Sequence, residues 1–556
     1  MDWINLGLSF LAGFGLFLFG MEYMGEGLNK AAGNRMKNIL SALTKNRLLG
    51  VLVGAGVTAL IQSSSATTVM VVGFVNVGLL NLRQAVGVIM GANIGTTITS
   101  WIVVLGEWTA YLKPAVLAPI MIVAGVILRM FVKNLYIKSI GQILFGFGAL
   151  FLGLDMMSGA AEPLSELESV RNLFLLLGSN PFLGILIGAI VTAVIQSSSA
   201  SVGILQALAL AGLVPWSSAI YIILGQNIGT CITAILSSIG ASINAKRAAV
   251  IHFLFNLIGA VLFGIIAVLV FNVWAGNIRD QLIDVTQISI VHSIFNILST
   301  VILVPFANVL VFLAEKMVKG STKEQEAGDY FLDERLFGTP YVAVQTAMEE
   351  AVRMGEMACW NVQRAVEALF EKNEEKVNEV FNQERAINEL QKKLNDYLIK
   401  LTNLSISEVD QRRVSGLFHM VSDIERVGDH ADNIGELALN LKNENLSFSK
   451  IAQKELEHMT DVALQCFSKA IKAYEKQDKE MANEILPLEK QTDQLEEKFR
   501  SKHMQRLAKA ECDPFAGIIY LDMVSNLERI SDHAVNIAQL ILEDKRTIDM
   551  EDEYQS

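Results

Sequence analysis

Two short stretches of amide and hydroxyl side chains recur in this chain, and such groups bind ions without carrying charge themselves. Residues 61–68 read Ile-Gln-Ser-Ser-Ser-Ala-Thr-Thr, and residues 195–202 read Ile-Gln-Ser-Ser-Ser-Ala-Ser-Val. Gln62 and Gln196 stand 134 positions apart, and the same offset relates Gly91-Ala-Asn93-Ile-Gly95-Thr96-Thr97 to Gly225-Gln-Asn227-Ile-Gly229-Thr230-Cys231. Two motifs repeated at one offset mark an internal duplication. It continues into Lys113-Pro-Ala-Val-Leu and Arg247-Ala-Ala-Val-Ile. All four motifs lie among apolar residues, where lipid offers a polar group no partner, so each other, water or a ligand must satisfy them. Small hydroxylated residues also pack membrane helices together. A duplicated Gln-Ser-Ser-Ser beside a duplicated Asn-Ile-Gly-Thr favours a ligand over packing alone.

A helix that begins just after such a tip points free N–H groups at it and favours an anion there. The hydroxyls of Ser63, Ser64, Ser65, Ser197, Ser198 and Ser199 add donors, making a cradle for phosphate or another oxyanion. Residues 48–82, 84–106 and 172–245 contain no Lys or Arg, and residues 48–106 and 172–245 contain no Asp, Glu or His. Partial charges at helix ends hardly balance a desolvated dianion, so a mobile cation should accompany it. No side chain there can carry a proton near neutral pH, although the phosphate itself can. Sodium, held by neutral oxygens, is the expected coupling ion. Thr67, Asn93, Thr96, Thr97, Asn227 and Thr230 are candidates to complete the phosphate and sodium sites. Gly91, Gly95, Gly225 and Gly229 predict breaks that free carbonyls for cations.

The elements that must position these groups follow from composition. The net charge of −12 conceals two regions: residues 1–320 hold 16 Lys and Arg against 11 Asp and Glu, and the rest hold 29 against 46. The first region predicts spans at 4–26, 83–105, 114–133, 139–157, 217–239, 247–271 and 287–315. Met1-Asp2-Trp3 lacks a basic leader, so the first is read as a retained span. Residues 48–80 and 182–214 are two short apolar arms around Gln-Ser-Ser-Ser, and predict re-entrant helical hairpins with the polar residues at the tips. With the N-terminus outside, inner loops carry Lys30, Arg35, Lys37, Lys45, Arg47, Arg83, Arg129, Lys133, Lys138, Lys246, Arg247, Lys316 and Lys319. Outer loops carry only Lys113, Arg171 and Arg279, in keeping with the positive-inside rule. Three crossings between the hairpins give the halves (about 1–133 and 134–317) opposite orientation, so the tips can meet, as in secondary transporters with inverted repeats. Glu22 and Asp155 are read as polar anchors at span ends. His252-x-x-Phe-Asn256 and His292-x-x-Phe-Asn296 are read as helix-packing hydrogen bonds.

Residues 318–340 are polar and predict a linker. Helical periodicity then predicts six helices at 341–372, 375–403, 407–443, 450–477, 479–508 and 514–544, in two three-helix bundles, before a polar tail at 546–556. The expected fold class is therefore all-α. A second duplication pairs Asp423-Ile-Glu425-Arg426-Val-Gly-Asp429-His430-Ala-Asp-Asn433 with Asn526-Leu-Glu528-Arg529-Ile-Ser-Asp532-His533-Ala-Val-Asn536. Glu384-x-x-Ile-Asn388 roughly matches Glu489-x-x-Thr-Asp493. Carboxylates four apart share a helix face and repel, so Glu425 with Asp429 and Glu528 with Asp532 need a cation or an Arg partner; Arg426 and Arg529 are at hand. Four scattered cysteines, three in the charged half, suggest a reducing compartment. An acidic soluble half argues against nucleic acid as a partner. No nucleophile–base set or nucleotide loop points to an enzyme.

Over residues 1–315 the doubled Gln-Ser-Ser-Ser and Gly-x-Asn-Ile-Gly-Thr motifs resemble the type II sodium–phosphate cotransporter family. The resemblance implies sodium-coupled phosphate transport, with both Gln-Ser-Ser-Ser stretches in the substrate and ion sites. Cys231 and Ser201-Val202 depart from Thr97 and Thr67-Thr68 of the first repeat. The soluble half resembles the PhoU family, which implies metal clusters on Glu425, Asp429, Glu528 and Asp532, with Glu489 and Asp493, in a phosphate-linked regulatory unit. Asn388 departs from the pattern. Carboxylates favour hard cations, so iron or manganese is expected. Together these predict a multi-pass protein of the plasma membrane, its bundle in the cytoplasm, with a homo-oligomer or a regulatory partner as open alternatives. The rival functions are transport of another small oxyanion or a carboxylate, and a membrane-anchored phosphate sensor.

Overall fold

A computed structural model describes residues 3–32, 47–76, 78, 80–105, 114–273, 276–320, 332–338, 340–404, 406 and 408–553. Arg35, Lys37, Lys45 and Lys113 of the charge count lie outside these residues, as does most of the expected linker. The chain forms two compact units, Met1–Glu324 and Gln325–Ser556. Both are α-helical, with no β-strand among the described residues.

In the first unit the helices are α1 (Trp3–Ala32), α2 (Arg47–Ile61), α3 (Ser64–Asn76), α4 (Leu82–Leu105), α5 (Pro114–Phe131), α6 (Leu135–Ala161), α7 (Glu168–Ser179), α8 (Pro181–Ile195), α9 (Ser198–Leu210), α10 (Trp216–Gly229), α11 (Cys231–Ser237), α12 (Ile243–Val273), α13 (Val285–Leu303) and α14 (Ala307–Met317). Among the described residues six stretches are long and apolar enough to cross a bilayer: α1, α4, α6, α10 with α11, α12 and α13. This is a multi-pass membrane protein. Two expected spans differ. The helix expected at 114–133 is Pro114–Phe131, with Pro119 inside it, at the lower limit for crossing hydrocarbon. The span expected at 287–315 ends at Leu303 and restarts at Ala307, because Pro305 cannot supply the N–H that a continuous helix needs.

Of the breaks expected at the two Asn-Ile-Gly-Thr motifs, the first is corrected and the second is found, between α10 and α11. The α4 helix runs unbroken through Gly91 and Gly95, and in the second repeat only Thr230 interrupts the helical pattern. These glycines serve close approach. A Cβ on Gly91 would stand 2.0 Å from the Val51 carbonyl oxygen, and one on Gly225 2.0 Å from that of Ile185. The backbones of α2 and α4, and of α8 and α10, thus pack through small residues, as membrane helices do where apolar burial supplies little force.

The second unit contains α15 (Pro340–Glu371), α16 (Glu374–Thr402), α17 (Glu408–Asn443), α18 (Lys450–Lys476), α19 (Lys479–Asn483), α20 (Ile485–Ala508) and α21 (Pro514–Glu553). The same device closes the first helix of each bundle. Lys372 and Gln477 sit in the left-handed region at φ 53° and 51°. The next residues, Asn373 and Asp478, cap the helices that follow by accepting backbone N–H bonds. Two departures from expectation stand out: the helix expected at 479–508 is interrupted at Glu484, and α21 extends into the expected tail.

Candidate transport site and metal centre

Each Gln-Ser-Ser-Ser stretch turns the chain between two short apolar helices. Gln62 and Gln196 both stand at φ 59°, the left-handed conformation that ends a helix. Ser63 and Ser197 then cap α3 and α9, accepting from the N–H groups of Ala66 at 3.1 Å and Ala200 at 3.2 Å. A buried hydroxyl pair braces each hairpin below its tip. Thr58 donates to Thr67 at 2.9 Å, and Thr192 to Ser201 at 2.8 Å. Thr67 also donates to the Ser63 carbonyl at 3.0 Å, so it braces the hairpin and holds its tip.

The two tips touch. Ser64 Oγ lies 3.4 Å from Ser198 Oγ, and the Ser65 hydroxyl donates to the Gln196 carbonyl at 3.2 Å. Thr99 of α4, which the sequence reading passed over, joins both: it donates to Gln62 Oε1 at 3.0 Å and accepts from Ser199 at 3.2 Å. Its sequence signals are a hydroxyl two places beyond Thr97 and a match to Thr233 at the offset of 134. Ser100 next to it offers its carbonyl to Gln206 and Ser289, both at 3.1 Å. The first residues of α3 and α9 are thus in contact, so two partial positive charges of about +0.5 converge on one spot. Such a spot favours an anion, and neutral hydroxyls surround it.

The remaining candidates lie apart from the tips in their hydrogen bonding. Asn93 and Asn227 donate to the carbonyls of Ile89 and Ile223 on their own helices. Thr96, Thr97 and Thr230 likewise bond carbonyls three or four residues back. The repeats also differ. Gln62 is buried, whereas Gln196 is exposed. Gln206, Gln226, His252 and Asn256 stand where the offset of 134 places Val72, Ala92, Ala118 and Ile122. The His-x-x-Phe-Asn pairs do not form the packing bonds expected of their imidazoles. Asn256 and Asn296 donate to their own helices, but both ring nitrogens of His252 and of His292 are buried without a partner.

In the second unit, ligand oxygens of Glu489, Asp493 and Asp532 lie within 4.8 Å of one another. Burial, then Asp532, Glu496 and Asp493, raise the Glu528 carboxyl above its ordinary range. In the other bundle the carboxylates gather around Glu384, which the sequence reading quoted in its motif without counting it a ligand. It is 6% exposed, and among the described residues neither oxygen makes a hydrogen bond of normal geometry, Asn388 standing as its polar neighbour. Burial, with Asp429, Asp432 and Glu425 nearby, pushes it up to about 8. Arg426 and Arg529 influence Glu425 and Glu528 through space. Among the described residues neither forms an ion pair with these carboxylates. Carboxylates crowded without cationic partners suit a hard metal ion. The repeated motif also ties the bundles together: His533 and Asn536 bond Asp423 at 2.8 and 3.0 Å, and His430 bonds Asn526 at 2.8 Å.

Duplicated hairpins whose polar tips meet within a multi-pass helical unit are the plan of a secondary transporter. The family model described as Na+/Pi-cotransporter matches residues 16–159 and 164–308, and the PhoU domain model matches 351–438 and 456–541. The chain belongs to the Na+/Pi-cotransporter family, a family of transporters rather than enzymes, and carries a PhoU domain. It is 25% identical to the putative inorganic phosphate export protein YjbB of Salmonella typhimurium, over 96% of this chain and 97% of that one. It is 30% identical to the uncharacterized protein YqeW of Bacillus subtilis, over 56% of this chain and 98% of the relative. A stretch of 76 residues is 50% identical to the human sodium-dependent phosphate transport protein 2B, covering 14% and 11% of the two chains.

Proposed function

We propose that the chain carries inorganic phosphate across the plasma membrane together with sodium ions. The hairpin tips hold the anion, and the PhoU domain is a cytoplasmic, metal-holding regulatory unit. The observation that carries the proposal is the contact between two helix starts that favour an anion, in a region without a basic side chain. A phosphate drawn there needs a mobile cation, and the surrounding oxygens of Gln62, Ser64, Thr99, Ser198 and Ser199 are hard, neutral ligands suited to sodium. Asn93, Thr96, Thr97, Asn227 and Thr230 line the neighbouring helices and are the next candidates. The names of the Salmonella and human relatives support phosphate as the anion, and the human one supports sodium. The charge asymmetry of the loops supports an outside N-terminus.

Transport by proteoliposomes under imposed gradients tests the proposal, measured in both directions because the Salmonella relative is named for export and the human one for no direction. Phosphate movement should follow a sodium gradient, and a pH gradient alone should not replace it. Equal movement in sodium-free medium would overturn the coupling. Sulfate or a carboxylate moving in place of phosphate would overturn the substrate. Binding without movement would make the protein a sensor.

A further inference from the structure

We propose that His292, on the face of α13 between Ser289 and Asn296, is a proton-binding site beside the phosphate site and takes up a proton when the anion binds. The proposal rests on phosphate binding at the tips. Its geometry starts from Ser289, which accepts from Gln206 Nε2 and donates to the Ser100 carbonyl, both at 3.1 Å. Ser100 adjoins Thr99, the residue bonded to both tips. His292 lies three residues beyond Ser289 on the same helix, one turn and about 4.5 Å of rise away. Further along α13, Thr300 donates to the Met90 carbonyl at 3.4 Å. The helix therefore runs antiparallel to α4, and His292 falls alongside the stretch between Met90 and Ser100 that holds Asn93, Thr96 and Thr97.

The chemistry of this stripe is incomplete as it stands. Gln206 and Asn296 use their amide nitrogens, but Gln206 Oε1, Asn296 Oδ1 and both nitrogens of His292 have no partner. All three residues are at most 1% exposed. A neutral imidazole has one donor and one acceptor nitrogen, so among these three residues unpaired acceptors outnumber donors three to one, and Ser299 adds one unpaired hydroxyl a turn further on. Such a group calls for a proton or another cation. Val72 stands in the first hairpin where the second has Gln206, so the site occurs once, not twice.

Why the proton should arrive with the anion follows from the surroundings. The helices packed on α13 are α4, α9, α10 and α12. Their titratable groups are Arg83 at the start of α4, Tyr221 in α10, and Lys246, Arg247 and His252 in α12, while α9 has none. Arg247 bonds the carbonyls of Val318 and Gly320, and Tyr221 lies in an apolar cluster with Phe295. None of these helices offers a carboxylate. Imidazolium is therefore costly in the empty protein, and a phosphate dianion at the tips supplies the missing negative charge. The acceptor nitrogen takes a proton from water on the open side and returns it to water when phosphate leaves, in addition to any sodium bound.

Calorimetric titration of the purified full-length protein with inorganic phosphate, in sodium and in two buffers of different ionisation enthalpy, counts the protons taken up. Near pH 7.5 the unsubstituted protein should take up as much as about one more proton per phosphate than His292→Gln. Equal counts in the two proteins would overturn the proposal while leaving phosphate binding intact. Failure of the unsubstituted protein to bind phosphate would instead overturn the transport reading, and this proposal with it. Asn296→Asp gives a second measurement that does not depend on the folding of His292→Gln. Its carboxylate, one turn from the imidazole, should hold His292 protonated beforehand and abolish the extra uptake. Uptake at the unsubstituted level in that variant would also overturn the proposal.

Discussion

Replacing Thr99 by Val keeps the shape of the side chain and removes the hydroxyl that joins the two tips. The hydroxyl donates to Gln62 Oε1 at 3.0 Å and accepts from Ser199 at 3.2 Å. Gln62 is 5% exposed and Ser199 6%, so water cannot readily replace either bond. An orphaned buried acceptor costs about 1–3 kcal/mol, and the lost Ser199 bond about 0.5–1.5 more. The closed arrangement of the tips should therefore weaken by roughly 2–4 kcal/mol, or about 30- to 1,000-fold in its equilibrium. Initial rates of phosphate transport in proteoliposomes, over a range of phosphate concentrations, should show at least about a tenfold loss at low phosphate. The duplication supplies the control. Thr233 stands at the matching position in the second repeat and bonds only the Thr230 carbonyl of the preceding turn. Thr233→Val should change the rate by less than about twofold, since a half-buried i−3 bond contributes little. Equal losses in the two variants, with both proteins folded, would refute the assignment of Thr99 to the tip contact.

Gly91→Ala should lower the melting temperature of the detergent-solubilised protein, because a Cβ there meets the Val51 carbonyl at 2.0 Å; overpacking of this kind costs about 1–3 kcal/mol. Gly56→Ala, with nothing within 4 Å of the added carbon, should not. Elemental analysis of the full-length protein after incubation with iron or manganese and desalting should find bound metal, and Asp493→Asn with Asp532→Asn should lose most of it; unchanged metal content would exclude that cluster. With metal chelated, the stability of the PhoU domain should fall as pH rises from about 4.3 toward 8, because Glu384, pushed up to about 8 in the folded state, binds a proton there that the unfolded chain has lost. The slope should approach about 1.4 kcal/mol per pH unit, and thermal melts of Glu384→Gln should lack that component. In a background without native cysteines, a cysteine at Asn29 should resist an impermeant thiol reagent added outside, and one at Ser165 should react; the reverse would invert the topology.

The hairpins and their tips were legible in the sequence because duplication at one offset made four polar motifs stand out from apolar surroundings. The same offset also relates Thr58 to Thr192 and Thr67 to Ser201, so the braces carried a signal that went unused. Thr99 carried it too, since Thr233 matches it, but Thr233 makes no tip contact, so the match alone did not name its role. The glycines of α4 misled for a physical reason. In water a helix-interior glycine weakens the helix. In an apolar setting every backbone group must stay bonded, and there the missing side chain serves to bring two helices together. The break after Leu303 was legible in Pro305 and outweighed by the apolar run on either side. In the PhoU domain the matching of Glu384 to Glu489 was visible, but the aligned Asn388 drew attention from it, and its depth of burial is a property of packing alone.

The braces below the two tips bear on how the molecule can move. Spreading the arms of either hairpin would break a buried hydroxyl pair with no water to take its place. Each hairpin is therefore a braced lever, and the two levers meet at a seam. It is crossed by the 3.4 Å contact of Ser64 with Ser198, the bond from Ser65 to the Gln196 carbonyl, and the shared hydroxyl of Thr99. A cargo that enters or leaves there can do so by the levers pivoting against one another, without either unfolding. The braces set the stiffness of the gate and the seam sets its bias. The two properties can then be altered separately, by substitutions a few residues apart.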